Sequence, residues 1–158
     1  MTARLLARGL TAAAVLWLAA LLSVPFISRH PDGAVAAALV RAAGSLVCHQ
    51  RPERSFTIDG VRLPVCARCT GLYAAGAVAA LAGLFGGAGG VGRPRLVLGA
   101  AAAPMAVTVA LEWTGIAGMS NGVRFLSALP LGTAAGWLFV RMLRAEGAAR
   151  QMGYHARV

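Results

Sequence analysis

Residues 9–27 read GLTAAAVLWLAALLSVPFI, nineteen residues without a charge, and Arg4 and Arg8 precede them. This length is close to the about 20 apolar residues that a helix needs to cross the hydrocarbon core of a bilayer. A secretory signal peptide also begins with basic residues, but its apolar core spans about 7–15 residues and ends at a cleavage site of small residues. Residues 23–26, SVPF, make a poor cleavage site. We therefore predict a retained first transmembrane helix.

Three later stretches are also long, apolar and almost free of charge. They predict spans at residues 70–92, 96–118 and 124–141. The last is short, but the arginines at its two ends can reach the headgroups. Glycines at positions 71, 76, 83, 86 and 87 would permit close helix packing. The chain is thus predicted to be an all-α integral membrane protein, a single domain over residues 1–158 with about four transmembrane helices.

The overall composition supports a lipid environment. Hydrophobic residues make up 58% of the chain and charged residues 13%, with a mean hydropathy of +0.70, whereas soluble domains carry about 25% charged residues. The net charge of +10 comes from fifteen arginines that fall at the ends of apolar segments or within one loop. A nucleic-acid-binding protein would gather them on one face or stripe. We therefore expect the partner to be the lipid bilayer and not nucleic acid.

The segment between the first two spans predicts a small polar loop. Residues 34–47 are apolar but too short to cross, which indicates an interfacial or re-entrant helix. Residues 48–69 are polar, and their centre, Ser-Phe-Thr-Ile, Asp59-Gly60 and Val-Arg-Leu, is typical of a hairpin. All three cysteines of the chain lie in this loop.

The three cysteines predict a metal site. Cys66 and Cys69 form a Cys-x-x-Cys pair, a spacing that can place two sulfurs on one ion. Cys48 and His49 add a third sulfur and an imidazole, which completes a tetrahedral set for zinc and uses an odd number of thiols. Because Cys48 and His49 are neighbours, both can reach one ion only if the backbone bends sharply between them.

Other functions of the same residues stay open. Cys66 and Cys69 can cycle between dithiol and disulfide with Cys48 as the resolving thiol, because a helix start and Arg68 lower a thiol pKa. A membrane thiol–disulfide oxidoreductase is therefore the first alternative. A small transporter or channel subunit, which would need an oligomer to form a pore, is the second. A purely structural loop is the third.

Glu112 is the one acidic residue within a predicted span. A carboxylate inside a membrane is costly unless it is paired, so it marks a candidate site with Arg124 or Arg68 as its partner; the alternative is a position near the interface in contact with water. Any catalysis would fall to Cys66, Cys69, Glu112 and Arg124. Polar residues predicted to surround the metal ligands are Gln50, Arg54, Ser55, Arg68, Thr70 and Asn121. No nucleotide-binding loop or Ser-His-Asp order is present in the sequence.

Two motifs carry a resemblance to a known family. Residues 48–56 read CHQRPERSF and residues 64–71 read PVCARCTG. This chain resembles the prokaryotic membrane family catalogued as domain of unknown function 2085, whose pattern is Cys-His-Gln-x-Pro-x-Arg-Ser-Phe followed by Pro-x-Cys-Ala-Arg-Cys-Thr-Gly. The later part of the family pattern fits at Ser120, Asn121 and Arg124, with Glu112 where Asp is usual and Ser127-Ala128 in place of Thr-Gly. The resemblance implies a membrane fold and these site residues, and it implies no activity.

The distribution of arginines predicts the orientation of the chain in the membrane and an anionic ligand. With four spans, eight arginines share a side with both termini and seven lie opposite, several of them within the candidate site. If the arginines of the candidate site are left out of the count, the positive-inside rule predicts that both termini face the cytoplasm (N-in and C-in). The cysteine loop then faces outward from the cytoplasmic membrane. Arg54, Arg68 and Arg124 would suit an anionic lipid or a small anion. The sequence does not fix the oligomeric state.

Overall fold

A computed structural model describes residues 3–86 and 92–155, with side chains described as far as Gly147. Within those ranges the chain forms five α-helices and one two-stranded hairpin. They are α1 (Ala3–Ile27), α2 (Ala34–Ser45), β1 (Thr57–Ile58), β2 (Val61–Arg62), α3 (Ala67–Phe85), α4 (Pro94–Trp113) and α5 (Asn121–His155). Four of the described helices are long and apolar enough to cross a membrane: α1, α3, α4 and the Asn121–Gly147 part of α5. This confirms the predicted all-α membrane fold.

Several helix ends differ from the predicted spans: α1 begins at Ala3, and α5 continues to His155. Helix α3 begins at Ala67, inside the cysteine loop, so its first turn carries the Cys-x-x-Cys residues. Helix α4 ends at Trp113, although the apolar pattern extends to residue 118. Gly115 adopts a φ of 72°, the left-handed conformation that ends helices. Residues 87–91 of the predicted second span lie outside the described residues.

The loop between α1 and α3 contains the predicted short helix and hairpin. Helix α2 has 12 residues, too few to span. Strands β1 and β2 pair antiparallel around Asp59 and Gly60, whose φ values of 47° and 80° are those of a two-residue hairpin turn. The register pairs Thr57 with Arg62 and Ile58 with Val61. An ion pair between Asp59 and Arg29 connects the hairpin to the turn that follows α1.

Helices α3 and α5 form the centre of the bundle, and they run parallel with their backbones in contact. A Cβ added to Gly136 would lie 2.2 Å from the carbonyl oxygen of Gly76, and one added to Gly132 would lie 2.4 Å from that of Leu72. Only glycine permits this separation, as is usual where membrane helices pack closely. Helix α1 packs on both, while α4 packs mainly on α5.

The bundle has two ends that differ in chemistry. At one end Ala7 of α1 packs with Ala80 of α3 and Val140 of α5. We call this the arginine end. At the other end Leu21 of α1 packs with Cys66, beside the cysteine loop. We call this the thiol end. The chain order therefore places both the start of α1 and the later part of α5 opposite the cysteines.

Candidate functional site: three thiols beside a buried ion cluster

The structure brings the three cysteines together. Ligand atoms of Cys48, Cys66 and Cys69, here called the thiol cluster, all lie within 4.8 Å of one another. The backbone N–H of Cys66 donates a hydrogen bond to the Sγ of Cys48 at 3.2 Å. Cys48 and Cys66 are only 6% and 5% exposed, and Cys69 is half-buried. Two separate stretches of chain thus meet at one buried point.

Local structure explains how the cysteines are positioned. Cys66 caps the N-terminus of α3 in an extended conformation, so Cys69 lies one turn further on the same side. The Thr70 hydroxyl donates to the Cys66 carbonyl at 3.1 Å and fixes that first turn. Cys48 follows α2, where its backbone N–H donates to the Gly44 carbonyl at 3.0 Å. Each thiol is therefore held by a helix end.

Gln50 holds the two cysteine-bearing stretches against each other. Its side-chain Nε2 donates to the carbonyls of Arg41 and Pro64, both at 2.7 Å. The backbone of Gln50 adopts a φ of 46°, which is uncommon outside glycine and turns the chain sharply. One side chain thereby ties α2 to the segment that leads into Cys66. Gln50 was predicted to lie near the metal ligands, and these two hydrogen bonds give it a structural role there.

Apolar and aromatic side chains cover the thiol cluster. Leu21 and Val65 pack directly on the cysteines, and Val40 closes another side. Trp17 and Tyr73 also pack there and contact each other edge to face, with ring centroids 6.2 Å apart. These neighbours exclude water from the sulfurs of Cys48 and Cys66, so charges there interact strongly with one another.

The arrangement favours a thiolate at Cys66. A hydrogen bond from the Cys69 thiol lowers the pKa of the Cys66 thiol from 9.0 to about 5, although burial opposes the shift. A thiolate, unlike a thiol, is both a nucleophile and a metal ligand. This shift favours the form of Cys66 that binds a metal.

A second polar group is connected to the thiol cluster through Arg68. Glu112 of α4 accepts a hydrogen bond from Arg68 at 2.8 Å and bonds from the Nε and NH2 groups of Arg124 at 2.8 and 2.6 Å. We call these three residues the ion cluster. Their side chains are 7–11% exposed, so Glu112 is largely buried and paired inside the protein. Two guanidinium groups and one carboxylate give the cluster a net charge of +1.

Helix α5 also holds the cysteine loop. Arg124 donates to the Asn121 side-chain oxygen at 2.8 Å and to the Glu53 carbonyl at 3.4 Å. Asn121 in turn donates to the carbonyl of Ser55 at 3.1 Å. Asn121 therefore joins the start of α5 to the loop that carries Cys48.

Two hydroxyl residues of the site, Thr108 and Ser127, were not among the predicted site residues. Arg68 lies 3.5 Å from the Thr108 hydroxyl, which donates to the Ser127 hydroxyl at 3.2 Å. Single hydroxyls are common in membrane helices, so only the one-turn spacing between Thr108 and Glu112 on α4 marks this position. Arg68 lies between Cys66 and Cys69 in sequence, so it joins the thiol cluster to the ion cluster. Its Nε has no hydrogen-bond partner among the described residues.

Two predicted residues do not join the thiol cluster. His49 is exposed, and the group formed by the described residues contains sulfur ligands alone. Residues 48–50 lie outside any helix, so the neighbouring side chains of Cys48 and His49 point different ways, one inward and one outward. Arg54 is half-buried at the end of a short 3-10 turn. The tetrahedral set of three sulfurs and an imidazole is therefore reduced here to three sulfurs.

Known proteins are similar to parts of this chain. A family model described as "Predicted membrane protein (DUF2085)" matches residues 48–138, more than half of the chain, which confirms the resemblance seen in the two motifs. An uncharacterized protein of Methanocaldococcus jannaschii is 59% identical over 32 residues, 20% of each chain. An uncharacterized protein of Methanothermobacter thermautotrophicus is 56% identical over 27 residues, 17% of this chain and 24% of that one. The chain thus matches a fifth to a quarter of the length of these curated relatives. No solved structure matches it.

Proposed function

The chain belongs to the predicted membrane protein family DUF2085, and from that premise we propose that it is a multi-pass membrane protein whose thiol cluster binds a metal ion, zinc being the metal that fits best. The observation that carries this proposal is the convergence of three buried sulfurs within 4.8 Å. Zinc prefers sulfur and nitrogen ligands and has no redox chemistry of its own.

The spacing of the sulfurs suits one ion. Tetrahedral zinc with Zn–S bonds of about 2.3 Å holds its sulfurs about 3.8 Å apart. The cluster needs to contract by about 1 Å or less to reach that geometry, a shift that side-chain rotation provides. Three protein ligands leave a fourth position, and zinc sites of this kind use it for water or a substrate. Cys69 is the half-buried member of the thiol cluster, so a fourth ligand would reach the ion from the side of Cys69.

The charge of the neighbouring ion cluster also supports a metal site. Zinc with three thiolates carries a net charge of −1, and the ion cluster carries +1. Because uncompensated charge inside a membrane is costly, two adjacent groups of opposite net charge stabilise each other. Arg68 connects the two clusters, since it lies between Cys66 and Cys69 in the sequence and its guanidinium group donates a hydrogen bond to Glu112. This arrangement resembles the polar surroundings that orient ligands in known metal sites.

Thiol–disulfide exchange is the second candidate, favoured by the low pKa of Cys66 at the start of a helix. The burial of Cys48 and Cys66 is against it, because an exchange partner must reach the attacked sulfur. Mass mapping of alkylated cysteines in protein taken directly from cells separates the two functions. A disulfide removed by reducing agent supports exchange, whereas three thiols protected until a chelator is added support metal binding.

Metal analysis of the purified protein tests the leading proposal. We expect a stoichiometric amount of zinc in the wild type and at least tenfold less in Cys66→Ser, because the substitution removes one of three ligands. Ser45→Ala, at the exposed end of α2, is the control and keeps its zinc. Equal metal content in Cys66→Ser and the control, or none in wild-type protein from zinc-supplied cells, would overturn the proposal.

We also propose that the arginine end faces the cytoplasm, which gives N-in and C-in topology in the cytoplasmic membrane. Arg68 and Arg124 are held by Glu112, and Arg29 pairs with Asp59. Arginines fixed in this way at the thiol end are explained by the site, so they do not weigh against the positive-inside rule. A reporter that is active only in the cytoplasm, fused to the C-terminus, should be active; an inactive fusion with the protein inserted would reverse the orientation.

A further inference from the structure

A pocket lies at the arginine end, far from the thiols. It has a volume of about 520 Å³. Its lining residues are Arg4, Arg8, Leu84, Phe85 and Arg144. Three of these five are arginines, contributed by α1 and α5, and none is acidic. At the thiol end, by contrast, Arg68 and Arg124 are already paired with the carboxylate of Glu112.

Helix geometry directs two of these arginines toward the pocket. Arg4 and Arg8 are one turn apart on α1, so they lie on one face of the helix. Ala7 and Thr11 on the same side are 0% and 2% exposed, because that side packs against α3 and α5. Arg4 and Arg8 therefore border the helix interface instead of facing away from the bundle.

Arg144 prepares the pocket for a negative charge. Its NH1 group donates to the carbonyls of Gly83 and Gly86 at 2.7 and 2.6 Å, which are among the last carbonyls of α3. Unpaired carbonyls at a helix C-terminus carry partial negative charge and would repel an anion. The bonds from Arg144 remove that repulsion and fix its guanidinium group at the pocket wall.

The remaining wall is apolar and lies at the membrane boundary. Phe85 is 88% exposed and Leu84 is half-buried. The charge-free stretch of α1 begins at residue 9, directly after Arg8, so the pocket lies where headgroups meet acyl chains. We propose that this pocket binds an anionic phospholipid, with its phosphate among the three arginines and its acyl chain along Phe85. Basic pockets between membrane helices are suited to such headgroups.

Native mass spectrometry in a neutral detergent, titrated with phosphatidylglycerol, tests this proposal. The detergent removes the charged bilayer surface, so only a localised site retains the lipid. The double variant Arg4→Gln/Arg8→Gln should bind roughly tenfold more weakly or worse, since each arginine contributes about 1 kcal/mol. Arg93→Gln/Arg95→Gln removes the same charge from exposed positions at the same end, outside the pocket, and should stay within about twofold of the wild type.

Equal weakening in both double variants, or none in either, would contradict the proposal. Inorganic phosphate at the same concentration should not displace the lipid, because it lacks the acyl chain; displacement would show that the occupant is a free anion. Should the double variant fail to fold, Arg8→Gln alone is expected to weaken binding about fivefold. Zinc content is unaffected in every pocket variant, so this test is independent of the thiol cluster.

Discussion

The two ends of the bundle use arginine in opposite ways. At the thiol end, the side chains of Arg68 and Arg124 are largely buried and share one carboxylate. At the arginine end, Arg4 and Arg8 are exposed and border a pocket whose described lining residues include no acidic one. Arginine buried with a counter-charge organises a site inside the protein, whereas arginine without one interacts with the membrane surface. The comparison predicts that acidic residues matter at one end only.

The largest effect on stability should come from Glu112→Gln. This substitution leaves two arginines buried without a counter-charge, which typically costs about 3–5 kcal/mol of unfolding free energy. The matched control is Glu146→Gln at the arginine end, an exposed position that should unfold as the wild type does. Denaturant titration in detergent micelles measures both. Similar stability of the two variants would remove the distinction between the ends.

A smaller loss of unfolding free energy should follow from Gly136→Ala, in the contact between α3 and α5 that connects the two ends. The added Cβ would lie 2.2 Å from the Gly76 carbonyl oxygen, so the helices must separate. Overpacking of this kind usually costs about 1–3 kcal/mol. Gly99→Ala on α4 is the control, because nothing lies within 4 Å of its added Cβ. If thermal unfolding in detergent were equally affected in both, the close α3–α5 contact would be wrong.

The smallest effect should come from His49→Ala. His49 is exposed and lies outside the thiol cluster, so we expect zinc affinity to fall less than about threefold. Competition with a fluorescent chelator measures this affinity, and Cys48→Ser is the comparison that should lose it. A loss of tenfold or more in His49→Ala would return the imidazole to the ligand set and indicate that the loop closes on the metal.

Local features of the sequence were sufficient to predict the fold. Charge-free stretches of membrane-spanning length identify the four spans, and Asp59-Gly60 between short strands identifies the hairpin. The spacing of the thiols also predicted that they converge. These predictions hold because each depends on neighbouring residues or on a motif within one loop.

Features that depend on packing between helices were harder to predict. Glu112 pairs with both candidate arginines, a geometry that follows from how three helices meet. Thr108 and Ser127 join the site only because α4 and α5 bring them together. His49 was expected among the ligands, but side-chain direction outside a helix depends on backbone angles that residue types do not specify.

X-ray absorption at the zinc edge of the zinc-loaded protein is the most direct test of the central proposal, that Cys48, Cys66 and Cys69 bind one metal ion. The spectrum should contain a shell of three sulfurs at about 2.3 Å, and Cys66→Ser should lose it. A shell of nitrogen and oxygen alone, at about 2.0–2.2 Å, would contradict the proposal.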